Sequence, residues 1–378
     1  MGIEHELSAE LASLKNKNLY RELRVLPPSL ADFSSNDYLG LSQNPLVCKK
    51  AADAVRRYGA GSGASRLISG NLKIHEDLEK KLADFKREEA ALIFSSGYMA
   101  NLGAITSLVD ERDLILLDRL NHASLIDAAR LSRAKLWVYL HKDVDELQVL
   151  LNHAKNFRRR LVVTDAYFSM DGDVAPLDRI LNLCDETDSL LMIDEAHSTG
   201  VFGHSGRGLT EHFGLEGKIP VVMGTLSKAL GSAGGFIAGS RVLKETLINR
   251  AREFIYTTAP VPAVSGAAIA SIEWIEKNPG KLKKFWRMVG EVRARLKEID
   301  FDLMASEGPI IPLLVGDTQK TLKLRDFLKK EGVFVPAVRP PTVPKNTDRL
   351  RISLKASHTP AEIDQLLKAL RKSKNKIK

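Results

Sequence analysis

The chain has 378 residues, with 56 Lys and Arg against 47 Asp and Glu for a net charge of +9, and 44 % of it is hydrophobic. That is enough apolar material for a large core, and 26 Gly with 15 Pro are too few for a low-complexity or disordered chain. No apolar run reaches the ~18 residues of a membrane span, the N-terminus lacks the order of a signal peptide, and charges of both signs are interspersed. Neither a membrane nor a nucleic acid is therefore expected as a partner. Cys48 and Cys184 stand in no ligand spacing, and the nine histidines form no zinc-type cluster. Two buried thiols, a cytoplasmic location and no metal are the expectation.

In chain order, residues 8–24 read as a short polar helix, closed by a Leu-Pro-Pro break at 26–28. Residues 50–58 and 76–87 are helical, and the second leads into an apolar strand at 90–94. Strands follow at 114–117, 161–166, 190–194, 221–226 and 235–238, with amphipathic stretches such as 177–186 between them. Apolar strands separated by helices indicate βαβ units and a parallel sheet covered on both faces. Residues 259–275, broken by prolines, read as a core helix, and Lys277-Asn278-Pro279-Gly280 as a linker. Beyond it the pattern changes to a charged helix at 281–299, strands at 310–314, 333–338 and 350–354, and helices at 318–330 and 360–372. The expected division is an N-terminal helix and arm (1–40), a large cofactor-binding domain (41–278) and a small α+β domain (279–378).

Polar segments gather at the carboxyl ends of the expected parallel strands. Asp165 to Asp173 follows one strand, Asp194-Glu-Ala-His197 the next and Thr225-Leu-Ser-Lys228 a third, each about one βαβ unit from the last. In an open α/β sheet such ends line one crevice. Ser95-Ser-Gly-Tyr-Met-Ala-Asn101 follows the 90–94 strand and opens a helix, whose free N–H groups and dipole suit a phosphate. Taken singly, Lys228 reads as surface decoration and the other segments as helix caps. Together, an amine nucleophile, a carboxylate able to keep a ring nitrogen protonated and a phosphate cradle are the three handles of pyridoxal phosphate. Two competing motifs fail. Asp194-Glu-Ala-His197 spells a helicase Walker B segment, but no Gly-x-x-x-x-Gly-Lys-Ser/Thr occurs. Thr225-x-x-Lys228 imitates a Ser/Lys acyl-hydrolase motif, without the Lys-Thr-Gly that should accompany it.

Six motifs in order carry a family resemblance: Asp32-Phe-Ser-Ser-Asn-Asp-Tyr-Leu-Gly40, Gly61-Ser-Gly-Ala-Ser-Arg66, Phe168-Ser-Met-Asp-Gly-Asp173, Asp194-Glu-Ala-His197, Thr225-Leu-Ser-Lys228 and Arg339-Pro-Pro-Thr-Val-Pro344. Over nearly its whole length the chain resembles the α-oxoamine synthases. Within them it looks most like the members that condense alanine with a pimeloyl thioester in biotin synthesis. The resemblance implies an α/β protein of aminotransferase fold type I, with a mostly parallel large-domain sheet and a smaller C-terminal α+β domain. It also implies a homodimer with active sites at the interface. By the same resemblance, the expected acyl carrier is coenzyme A or acyl-carrier protein. Glycine-using siblings, which make 2-amino-3-ketobutyrate or 5-aminolevulinate, are the alternative.

Residue by residue, the resemblance makes Lys228 the Schiff-base lysine, Asp194 the partner of the pyridinium nitrogen, His197 the donor to the ring hydroxyl and His122 the imidazole stacked on the ring. Ser96, Gly97 and Tyr98 match the phosphate-proximal loop, and Ser169 and Thr225 further cofactor contacts. Thr257 or Thr258 should reach the other subunit's cofactor phosphate. Arg351 matches the arginine that holds the amino-acid carboxylate, and Asn36 a second substrate contact. Arg21, with Arg24 on the same expected helix face, and Thr342 match acyl-substrate contacts. Ser65 stands where glycine-specific relatives carry Thr, and Ser227 where many relatives carry Gly.

Overall fold

The computed structural model describes residues 2–23 and 25–377; Arg24 and Lys378 lie outside the described residues. The chain forms two compact units, one of residues 36–287 with 355–357, the other of residues 1–35, 288–354 and 358–378.

The larger unit is built on a seven-stranded sheet: β1 (Ala90–Phe94), β2 (Leu114–Asp118), β3 (Lys135–Tyr139), β4 (Arg160–Asp165), β5 (Leu190–Asp194), β6 (Val221–Thr225) and β7 (Gly235–Gly239). Its strand order is β1-β7-β6-β5-β4-β2-β3. All neighbours pair in parallel except at β7, which is antiparallel to both β1 and β6. The expected parallel strand at 235–238 is thus reversed. Too few residues separate Thr225 from Gly235 for the dozen-residue crossover that a parallel return requires, so the chain folds back directly. Strand β3 was not expected; it is the partly exposed edge strand, and its mixed Lys-Leu-Trp-Val-Tyr sequence lacks the apolar run of its neighbours.

Inward-facing Phe94, Ile115, Leu117, Leu161, Val163 and Met192 pack on the helices Gly97–Leu108 and Ala123–Leu131. Each such side chain contributes ~1.5–3 kcal/mol on burial. The helix Pro262–Lys277 is the expected core helix, started by Pro262 at its first position. The expected linker shrinks to the single residue Asn278, since Pro279 opens the next helix, Pro279–Glu298.

In the smaller unit, strands Ala337–Val338, Arg349–Ser353 and Ile310–Leu314 form an antiparallel sheet in that order. The expected strand at 333–338 is split: Val333–Phe334 pairs instead with Ala31–Asp32. The first helix spans Ile3–Asn16, where Asn18 turns left-handed at φ 56°, so Arg21 lies beyond the helix rather than on it. Cys184 is buried, and burial pushes its thiol up to about 12, but Cys48 is exposed, contrary to expectation. Among the described residues no helix is long and apolar enough to cross a membrane.

Candidate active site

Parallel pairing sets the carboxyl ends of β4, β5 and β6 side by side, with Asp165 opposite Asp194 and Asp194 opposite Met223. Because β7 is reversed, its first residue lies at the same edge: Gly235 is the partner of both Phe94 and Thr225. The segments that begin at Ser95, Asp165, Asp194 and Thr225 therefore open on one crevice.

Asp194 is buried at 3 % exposure. Its Oδ1 accepts the Ala196 N–H at 2.8 Å and its Oδ2 accepts Asn101 Nδ2 at 2.8 Å. Asp165, in the neighbouring strand, accepts the His122 N–H at 2.7 Å. Burial and the nearby Asp194 charge push the Asp165 carboxyl well above its ordinary pKa. The His122 pKa is lowered by withdrawal from water, an effect that Asp194 opposes and the Lys228 ammonium reinforces. Lys228 also acts on Asp165. The lysine, both carboxylates and the imidazole are therefore within electrostatic reach of one another.

Lys228 is half-buried in the loop between β6 and β7, which closes through Leu226 N–H to Gly234 O and Gly231 N–H to Lys228 O, both 2.9 Å. Beside it, Ser96 caps the helix Gly97–Leu108: its Oγ accepts the Met99 N–H at 3.1 Å. That leaves the N–H groups of Gly97 and Tyr98 without an intrahelical acceptor. A Cβ on Gly235 would lie 2.6 Å from Gly97 Cα, and one on Gly97 would lie 2.8 Å from Met223 Cε, so the helix start meets the sheet edge at backbone distance. Thr225 Oγ1 stands at this edge, donating to Gly234 O and 2.8 Å from Ser227 Oγ. The extra hydroxyl of Ser227 is accommodated in that pairing. A helix start, two unencumbered N–H groups and flanking hydroxyls fit a phosphate, while Lys228 and Asp194 supply an amine and a buried anion. This donor set suits pyridoxal phosphate.

His197 is buried in the turn after β5, with Nδ1 2.7 Å from Tyr38 Oη. Tyr38 in turn lies 3.5 Å from Asn36 Oδ1, which brings Asn36 to the same edge. The turn is pinned from below by the buried pair of Lys86 and Glu195, whose Oε1 also accepts the Thr210 N–H at 2.7 Å. Ser169 sits in the loop after β4, held by Phe168 N–H to Asp173 O at 3.0 Å. Asp173 bonds His141 Nε2 at 3.0 Å, and His141 Nδ1 bonds Asp118 at the end of β2, also at 3.0 Å. Tyr98, exposed, donates its hydroxyl to Asp127.

The remaining expected residues fall elsewhere. Ser65, Thr257 and Thr258 form a second group, joined where Ala259 N–H donates to Ala64 O at 3.0 Å; among the described residues it makes no hydrogen bond to the first, although Thr257 and Ser95 line one small cavity. Arg21, Thr342 and Arg351 belong to the smaller unit, where Arg21 and Thr342 are exposed and Arg351 is buried. Residue reading gave no role to Tyr38, Asn101 or Ser124, which bond the side chains of His197, Asp194 and His122. Asn101 closes the segment read as a phosphate site, the one cue that could have drawn attention to it.

Residues 28–370 match the family model for aminotransferase class I and II. The chain is 43 % identical to the 8-amino-7-oxononanoate synthase of Thermoanaerobacter pseudethanolicus, over 97 % of this chain and 96 % of that one. It is 45 % identical to the 8-amino-7-oxononanoate synthase of Lysinibacillus sphaericus, over 96 % of each. Among solved structures, a serine palmitoyltransferase from S. paucimobilis with bound PLP-myriocin superposes with a TM-score of 0.92 at 29 % identity, over 98 % of this chain and 97 % of that one.

Proposed function

The chain belongs to the class I and II aminotransferase family, and on that premise we propose that it condenses L-alanine with a pimeloyl thioester, with loss of CO₂, to give 8-amino-7-oxononanoate for biotin synthesis. The observation that carries the choice of substrates is the near-full-length identity of 43 % and 45 % to two synthases of that name, against 29 % for the serine-using structural neighbour. Pyridoxal phosphate is the cofactor, and when bound it supplies an electron sink for negative charge at the substrate Cα.

The residues divide the work. Lys228 Nζ would hold the cofactor, and its free amine would take the proton from the substrate Cα. Asp194, with both oxygens already oriented by N–H donors, would keep a proton on the ring nitrogen and so the sink deep. His122 presents a neutral imidazole, consistent with its lowered pKa. The start of the helix Gly97–Leu108 binds the phosphate, with Thr225 and Ser169 as hydroxyl partners. We assign Arg351 to the substrate carboxylate, Asn36 to a second substrate contact, and Arg21 with Thr342 to the acyl chain. Thr257 and Thr258 serve the second copy of a homodimer. The thiols of Cys48 and Cys184 fit a reducing cytoplasm, and recovery of the protein from a membrane fraction would contradict that placement.

The cofactor assignment is tested by Lys228→Ala. The purified wild-type chain should show the visible absorption of lysine-bound pyridoxal phosphate. The variant should lose that band and all turnover while its circular dichroism is unchanged. Retained turnover would refute the assignment.

A further inference from the structure

Between the imidazole and the carboxylate of the site runs an unbroken chain of short contacts. Asn101 is buried at 1 % exposure and Ser124 likewise. Asn101 Nδ2 lies 2.8 Å from Asp194 Oδ2 and 2.8 Å from Ser124 Oγ, and Ser124 Oγ lies 2.8 Å from His122 Nδ1. We propose that Asn101 and Ser124 are positioning residues that set, through this one chain, both the rotation of the Asp194 carboxylate and the tautomer of the His122 ring.

The direction of each bond is forced. A carboxylate only accepts, so the amide must turn its NH₂ toward Asp194; flipped, its oxygen would face another acceptor. The second hydrogen of that NH₂ then goes to Ser124 Oγ, which accepts. The Ser124 N–H donates to His122 Nδ1 at 3.3 Å, which makes that nitrogen an acceptor, so the one hydroxyl hydrogen of Ser124 goes to it as well. With two donors aimed at it, Nδ1 has no room for a proton of its own, and the neutral ring carries its hydrogen on Nε2. Asp194 is fixed from both sides, by Asn101 on Oδ2 and Ala196 N–H on Oδ1. The single oxygen of the Asn101 amide, Oδ1, is buried with no partner among the described residues, so this amide is held by its donors alone.

The tautomer does not depend on what the site binds, whereas the Asp194 half rests on the pyridoxal phosphate reading. The full chain, ¹⁵N-labelled at histidine, is examined by NMR with and without added pyridoxal phosphate, the His122 ring being assigned by its loss in His122→Gln. The wild type should show an unprotonated Nδ1 and a protonated Nε2 before any cofactor is added. The charged groups that act on this ring are Asp194, Asp127 and Lys228, and Asp165 accepts its backbone N–H. None of these is altered in Ser124→Ala, so removal of one donor to Nδ1 should raise the His122 titration midpoint by about half a pH unit or more. Ser124→Thr, which keeps the hydroxyl, should restore it. Asn101→Ala should weaken pyridoxal phosphate binding, read by absorbance titration, about tenfold, as expected for one lost bond to a charged group. A proton on Nδ1 in the wild type, or an unmoved midpoint in Ser124→Ala, overturns the relay. Unchanged cofactor affinity in Asn101→Ala overturns its Asp194 half. Failure of the wild type to bind pyridoxal phosphate would instead strike the functional reading, with the tautomer still measurable.

Discussion

We propose that the choice between alanine and glycine turns on Ser65. Its carbonyl accepts N–H groups from Ile68 at 3.1 Å and Gly70 at 2.9 Å, so a tight turn fixes where its Cβ points. A β-branched residue there adds a methyl that cannot be turned away by backbone movement. One misfit methyl in a packed pocket costs ~1–3 kcal/mol, or roughly 10–200-fold in preference. Wild type should therefore prefer alanine, and Ser65→Thr should shift the ratio of kcat/KM values toward glycine at least about tenfold. Rates with both amino acids and one acyl thioester check this; an unshifted ratio would make Ser65 a turn residue only. At this scale the sequence was most legible where a residue ends a strand. Lys228, Asp194 and Thr225 are placed by the strands that precede them. Asn101, Ser124 and Tyr38 were not legible, because a bridging role depends on which side chains the fold brings alongside, and nothing in their own spacing encodes it.

Elements show the same division. The apolar runs of β1, β2, β4, β5 and β6 announce buried strands, whereas β3 lies at the edge and is spared the need to be apolar. The direction of β7 was hidden in a loop length rather than in its residues. The loop that bears Ser169 is tied to the ends of β2 and β3 through His141, which bridges Asp118 and Asp173 and whose ring meets Phe168 edge-on at 4.4 Å. Burial alone would lower the His141 pKa, but its bonds to the two carboxylates prevail and raise it to about 9. A folded-state pKa raised above the ordinary 6.5 gives stability that is complete below about pH 6.5 and lost as pH climbs through about 9. The amount is on the order of 3 kcal/mol. Wild-type unfolding midpoints should fall between pH 7 and 10, and His141→Gln should flatten that fall. Parallel denaturant titrations of both proteins decide it; equal slopes with pH would remove His141 from the account.

For the whole molecule, the candidate residues form separate groups. Lys228, Asp194 and His122 share one crevice, while Ser65, Thr257 and Thr258 form another group that, among the described residues, makes no hydrogen bond to it. Two such groups are what a site shared between two copies requires, each copy lending its second group to the other's first. Lys228→Ala mixed with a Thr257→Ala, Thr258→Ala double variant should then recover up to roughly a quarter of wild-type activity after subunit exchange, because heterodimers rebuild one intact site. Mixtures no more active than their components would place each site within one chain. The most direct test of the account as a whole is the reaction itself. The purified chain is loaded with pyridoxal phosphate and given pimeloyl-CoA with alanine, glycine or serine in turn, while CO₂ release and the product mass are measured. Alanine should give the fastest CO₂ release and a product of the mass of 8-amino-7-oxononanoate. A faster reaction with glycine or serine, or no condensation with the pimeloyl thioester, would contradict it.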